Sequence, residues 1–170
     1  MSPPLISASS LATRAPVSTV CFAIQATKIC IFCIFAKMDQ VFDPIRKKYV
    51  KLTPEEGVRQ HVVRMLTGCY SYPETHLAVE YAFKYNKLTY RADVVVFNRA
   101  LKPVLLVECK APSVKLTEAV IDQVIRYNYV LDVPYILITN GELYYLCRRD
   151  FEGDYLQCSA MPSFDQLCEL

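Results

Sequence analysis

Two apolar runs, Val94-Val95-Val96-Phe97 and Val104-Leu105-Leu106-Val107, lie a polar turn apart within residues 91–110. Short, β-branched runs bounded by turn signals predict strands buried on both faces. Such strands need a covering layer on each side of their sheet. Each run also ends in charge. Asp93 precedes the first, and Glu108-Cys109-Lys110 closes the second. Side chains alternate along a strand, so Glu108 and Lys110 share a face and Cys109 points away. Antiparallel pairing of the two strands brings Asp93 beside Glu108. Two acids and an ammonium at one end of a sheet suit a divalent metal ion and an activated water. A surface ion pair at a solvated strand end is the plainer reading. The apolar runs that these charges terminate argue against it, because a charge at the end of a central strand is costly without a partner.

The surrounding chain supplies the layers. Thr53 reads as a helix N-cap, Pro54 as the first helical position and Glu56 as the third member of a capping box. The helix extends to about residue 66, with Val58, Val62, Met65 and Leu66 as its buried stripe. Glu55 falls inside that stripe and Glu56 outside it. Capping accounts for Glu56. Glu55 is either a first-turn acid favoured by the helix dipole or a third acid of the metal site. A strand follows over residues 77–84, then the hairpin of residues 91–110. A second helix spans residues 116–130, with Ala119, Val120, Val124, Tyr127 and Leu131 towards the sheet. Gln123 and Tyr127 are four apart and stack on one face, next to Arg126. Gln123 either finds a local hydrogen bond or reaches a phosphate or a water. Tyr135-Ile-Leu-Ile-Thr139 is a further strand, Asn140-Gly141 a tight hairpin turn, and residues 142–147 the returning strand. A short helix is expected near residues 164–169. The order is helix, three strands, helix, two strands: an α/β sandwich with a mixed central sheet flanked by helices.

Residues 1–37 are unlike the rest. A Ser/Pro/Ala-rich opening leads into an apolar stretch broken by Gln25 and Lys28, and its longest clean run, residues 29–36, is too short to span a bilayer. A signal peptide would need a small-residue cleavage site that is not evident. We expect an N-terminal extension outside the fold, with Met38 as the natural start, and a domain over residues 38–170.

Charge and cysteine content narrow the function classes. The chain carries a net +2, yet residues 1–37 hold three bases and no acid. That leaves 16 of the 19 basic residues against all 17 acidic ones, a net −1. Nucleic-acid contact must therefore rest on a local patch. Arg46, Lys47, Lys48 and Lys51 form one such cluster, read either as a solvated face or as a phosphate contact. The eight cysteines show no repeated spacing, and Cys30-Ile-Phe-Cys33 has no second pair, so zinc is not expected. They read as reduced thiols of a cytoplasmic protein.

The element order, Asp93, Glu108-Cys109-Lys110 and Gln123-x-x-x-Tyr127 together resemble the PD-(D/E)xK nuclease superfamily. More narrowly, the chain resembles the N-terminal nuclease domain of type I restriction enzyme R subunits, in a short stand-alone bacterial version. Phe42-Asp-Pro-Ile-Arg-Lys-Lys, Leu52-Thr-Pro-Glu-Glu, Arg91-Ala-Asp93, Leu106-Val-Glu-Cys-Lys-Ala-Pro112 and Thr139-Asn-Gly141 carry the likeness across residues 40–165. The resemblance implies a restriction-endonuclease-like sandwich and metal-dependent hydrolysis of DNA. It implies Mg²⁺, with Mn²⁺ as a substitute, on Asp93, Glu108 and the Cys109 carbonyl, with Glu55 as the helix acid. It implies that Lys110 serves the attacking water and the developing phosphate charge. Gln123 and Tyr127 would orient the phosphodiester or the lysine. DNA and other restriction-system subunits are the implied partners, and no membrane is. Ala92 stands where the superfamily name has proline, a position that holds no metal. These residues contain no G-x-x-x-x-G-K-[ST] phosphate loop, so ATP-driven translocation is not expected of them. A non-catalytic nucleic-acid-binding or assembly module is the competing expectation.

Overall fold

The computed structural model describes residues 39–85, 88–128 and 132–170. The expected N-terminal extension lies outside the described residues.

The sequence of elements opens with a two-stranded antiparallel hairpin, β1 (Gln40–Asp43) and β2 (Lys48–Lys51). Its turn follows from Asp43-Pro44: the Asp43 carboxylate accepts from the Ile45 and Arg46 amides at 2.8 and 2.7 Å. Such an aspartate-capped turn needs no glycine, and Lys47 closes it at φ 52°. Helix α1 (Pro54–Arg64) starts where expected, Thr53 Oγ1 accepting from the Glu56 amide at 3.1 Å. It passes into a π-helical turn over Met65–Cys69 rather than ending at residue 66.

The main sheet has six strands in the order β3 (Leu77–Tyr85), β4 (Leu88–Phe97), β5 (Pro103–Cys109), β6 (Tyr135–Thr139), β7 (Tyr144–Arg149) and β8 (Tyr155–Gln157). Only β5 and β6 run parallel; every other neighbour is antiparallel. That parallel step requires a crossover, and helix α2 (Glu118–Asn128) provides it. A short helix α3 (Phe164–Cys168), closed by a Ser163/Gln166 capping box, ends the described chain.

Two apolar layers enclose the sheet. One gathers Val58, Val62, Val63 and Leu66 from α1 with Val94, Val96, Leu105, Val107 and Leu137. The other gathers Ile121, Val124 and Ile125 from α2 with Val95, Leu106, Ile136 and Ile138. The sandwich expected from the two apolar runs is therefore present, with α1 and α2 on opposite faces. The inner face of α2 differs from expectation. Ile121, Val124 and Ile125 are buried, Ala119 is exposed and Val120 half-buried. The helix axis is rotated so that its branched residues, which carry more apolar surface, meet the sheet.

Candidate active site

The β4–β5 register runs Val94↔Val107, Val95↔Leu106, Val96↔Leu105. One step further brings Asp93 opposite Glu108, as strand alternation required. Asp93 is not at the start of its strand, however: β4 begins at Leu88. The Cys109 amide donates to Asp93 Oδ2 at 2.6 Å, which fixes the aspartate against the end of β5. Lys110 Nζ donates to Glu108 Oε1 at 2.9 Å, and the Lys110 amide donates to Thr139 O at 2.8 Å. The end of β6 thus sets where Lys110 leaves the sheet. Asn140 completes this frame by donating to Val114 O at 3.0 Å and accepting from the Glu142 and Leu143 amides. Gly141 turns the chain at φ 89°, and a Cβ there would lie 3.3 Å from Val58 Cγ2 on α1.

Burial pushes the Glu108 carboxyl up, the charge of Asp93 adds to that, and Lys110 partly offsets it. For the Lys110 ammonium, burial works against the charge, but the Glu108 partner outweighs it and the net shift is upward. The Cys109 side chain is almost wholly buried and its thiol is driven well above its ordinary range, so the side chain stays protonated. It offers no thiolate to a metal.

Glu55 and Glu56 exchange the places expected of them. Glu55 is exposed and meets Arg59 Nη2 at 3.5 Å. Glu56 is buried, accepts from Arg46 at 2.5 Å and from Gln60 at 2.9 Å, and pairs with Arg59. Helical period places Glu55 over the sheet and Glu56 to one side. That side is covered by the β1–β2 hairpin, whose Asp43 accepts from Gln60 Nε2 at 3.0 Å. A covering element contributed from elsewhere in the chain is invisible to helical period. The expected capping box is only half formed, because the Glu56 carboxylate turns into this network instead.

Arg59 is the residue that sequence reasoning missed. Its guanidinium pairs with Asp93 Oδ1 at 2.5 Å, with Glu80 at 2.9 Å and with Glu56. Its own burial opposes the charge, but Asp93, Glu56 and Glu80 outweigh that and hold the guanidinium firmly ionised. Glu80 was missed too. It sits in β3 opposite Asp93 at φ 56°, a left-handed backbone in the middle of a strand. Val79 and Tyr81, two residues apart, pack into opposite apolar layers, and so do Ala92 and Val94 on the facing strand. Alternation therefore breaks at Glu80 and Asp93 together, and both carboxylates meet Arg59. An arginine flanked by Val58, Val62 and Val63 on one helical face was the available signal for this cluster.

Gln123 is exposed on the side of α2 away from Ile121, Val124 and Ile125. It does not share the apolar stripe expected of it, because the helix is rotated as described above. The Tyr127 side chain lies outside the described residues.

The donor set fits Mg²⁺. Asp93 and Glu108 offer hard carboxylate oxygens from facing positions on adjacent strands, and Mg²⁺ commonly takes one or two carboxylates and keeps its remaining positions for water and phosphate. Burial and mutual repulsion raise the cost of ionising Glu108, which a nearby cation relieves. Among the described residues no three His, Cys, Asp or Glu side chains are grouped as a metal cage. Glu55 in particular is not assembled with the strand acids into such a group.

The α/β sandwich with one parallel step in its mixed sheet is a restriction-endonuclease-like fold. A solved fragment assigned to the HsdR subunit of a type I restriction enzyme from Vibrio vulnificus YJ016 shares it, with a TM-score of 0.50 and 20% identity. The match covers 69% of this chain and 25% of that one. Residues 54–162 match the family described as type I restriction enzyme R protein N terminus (HSDR_N), and the chain belongs to that family. No curated protein matches it. No helix among the described residues is long and apolar enough to cross a membrane.

Proposed function

We propose that this chain is a Mg²⁺-dependent DNA endonuclease module of a restriction-type system, working in the cytoplasm with other subunits of that system. The observation that carries the reading is the Glu108–Lys110 pair, partly exposed and 2.9 Å apart, directly across from Asp93 in a fold of this family. Asp93 and Glu108 would hold the metal, joined by the Cys109 carbonyl. When bound, Mg²⁺ supplies Lewis-acid activation of water and neutralises phosphate charge. The chain's own contribution is positional and electrostatic. Cys109 N–H and Arg59 leave Asp93 no freedom to turn away. Lys110 remains an ammonium, so it serves as a donor and not as a base. It orients the attacking water and stabilises the negative charge that develops on the phosphodiester. Gln123 and Tyr127 are proposed to orient the substrate, and the exposure of Gln123 supports contact with DNA rather than with the core.

The second reading, a nucleic-acid-binding or assembly module without catalysis, is favoured by the engagement of both Asp93 oxygens. One is held by Arg59 and the other by the Cys109 amide.

Calorimetric titration with Mg²⁺ and Mn²⁺, run beside nicking of a supercoiled plasmid, separates the two. The expected outcome is metal-dependent nicking that is lost in Asp93→Ala together with metal binding. In Lys110→Ala, nicking should fall about 10²–10³-fold while metal still binds, the scale found on removing one transition-state donor. Nicking that persists in both variants defeats the proposal, and absent metal binding leaves the assembly module standing.

A further inference from the structure

Arg59 is more crowded than a framework arginine needs to be. Four carboxylates lie within ion-pair distance of its guanidinium: Asp93 at 2.5 Å, Glu80 at 2.9 Å, Glu55 at 3.5 Å, and Glu56. Glu56 meets Nη1, whereas the other three converge on Nη2. One such nitrogen carries only two N–H donors. Arg59 Nε, also buried, has no acceptor among the described residues. A buried donor without a partner is costly. The guanidinium thus overloads one nitrogen and leaves another unused. That is the state of a group shared between acceptors, not of one fitted to a single site.

The two nearest acceptors on Nη2 are not equivalent. Asp93 and Glu80 face each other across β4 and β3. Among the described residues Arg59 is the only ion-pair partner of Asp93, whose other oxygen accepts from the Cys109 amide at 2.6 Å. Glu80 also pairs with Arg91 at 2.7 Å and keeps 24% of its side-chain surface in solvent. Its φ of 56° is left-handed backbone in mid-strand, where a side chain is strained. Strain of this kind persists where the surroundings over-determine it, and it gathers at functional sites. Glu56 and Asp93 already supply the charge that a buried Arg59 needs, so a strained third carboxylate serves something further.

We propose that Arg59 holds the place of the divalent cation at Asp93, and that Glu80 is the positioning residue that takes over the guanidinium when the cation binds. This deepens the nuclease reading and rests on it for the identity of the cation. A guanidinium and a metal ion repel each other, and one carboxylate oxygen cannot serve both at full strength. The shift asked of Arg59 is small, because Glu80 already lies 2.9 Å from the same Nη2. Glu56 keeps its hold on Nη1, and the Cys109 amide keeps Asp93 in place. Glu55 is a poor substitute as receiver, at 3.5 Å and with 48% of its side chain exposed.

The test measures Mg²⁺ affinity of the full chain by calorimetry and determines the crystal structure of the wild type with Mn²⁺. Glu80→Gln, which keeps the shape and removes the charge, should weaken Mg²⁺ binding about 10–100-fold, the scale for losing a group that orients a metal ligand. Glu55→Gln removes an equal charge from the same Nη2 and reports the general electrostatic effect; its loss should be much smaller. In the Mn²⁺ complex the guanidinium should rest on Glu80, away from Asp93. Equal losses in the two variants overturn the proposal. So does a Mn²⁺ complex with Arg59 still on Asp93, or a wild type that binds no metal. If Glu80→Gln fails to fold, the Mn²⁺ complex decides alone. Plasmid nicking is measured alongside. A loss specific to Glu80, in a protein whose wild type never nicks, supports the transfer of Arg59 and defeats the nuclease. Nicking by a wild type whose metal affinity ignores Glu80 keeps the nuclease and overturns the transfer.

Discussion

Two charged assemblies share the region of Asp93, and they are built on opposite principles. Around Arg59 the carboxylates of Glu56 and Asp93 and the guanidinium are nearly water-free, and each charge is held by more than one partner. Glu108 and Lys110 pair one-to-one and keep about a quarter of their side-chain surface in solvent. Removing one member of a buried network leaves its partners as uncompensated charges, whereas a half-exposed pair falls back on water. The first assembly belongs to the architecture. The second keeps access to solvent. The same residue types thus serve framework or chemistry according to how completely the fold surrounds them.

The largest effect is expected where the buried assembly loses its centre. Arg59→Met should lower the unfolding free energy by about 3–5 kcal/mol, since Asp93 then loses its guanidinium partner and Glu56 keeps only Arg46 and Gln60. Chemical denaturation checks this, and a change below that of a surface substitution would erase the distinction between the two assemblies. Next comes Asp43, which holds Arg46, the guanidinium that also pairs with Glu56. Asp43→Asn should cost about 1–3 kcal/mol at neutral pH, the scale for charged hydrogen bonds lost from a buried group.

The two assemblies should also respond to pH with opposite sign. For Asp43, burial pushes the carboxyl up, but the Arg46 amide and guanidinium outweigh it and the net shift is downward. A lowered folded-state value stabilises the protein above the ordinary carboxylate range, and this is lost as pH falls through the folded value. Glu108 is shifted up, chiefly by burial. Its native state holds the proton longer than the unfolded chain, so stability declines as pH rises from the ordinary carboxylate range through the raised value. Glu108→Gln should therefore stabilise the fold modestly at pH 7, by less than about 1 kcal/mol and with a slightly higher melting temperature, and leave stability unchanged at pH 4. Asp43→Asn should do the reverse, destabilising at pH 7 and converging with the wild type in acid. Melting curves at both pH values decide the matter; parallel behaviour of the two variants would show that they lie in one electrostatic environment.

Much of this was legible in the chain itself. The paired apolar runs, the turn at Asn140-Gly141 and the cap at Thr53 are local signals: side-chain period, φ > 0 tolerance and an amide in need of an acceptor each act within a few residues. They determined the sandwich, the register that sets Asp93 opposite Glu108, and the shared face of Glu108 and Lys110. Only the tertiary structure decided which helix acid is buried, which face of α2 meets the sheet, and that Arg59 and Glu80 join Asp93. The β1–β2 hairpin covers Glu56 and Gln60, and the break in alternation at Glu80 turns two strands towards one guanidinium. Burial and ion pairing of this kind depend on elements distant in sequence, and a period read along one helix or strand holds no information about what packs across it.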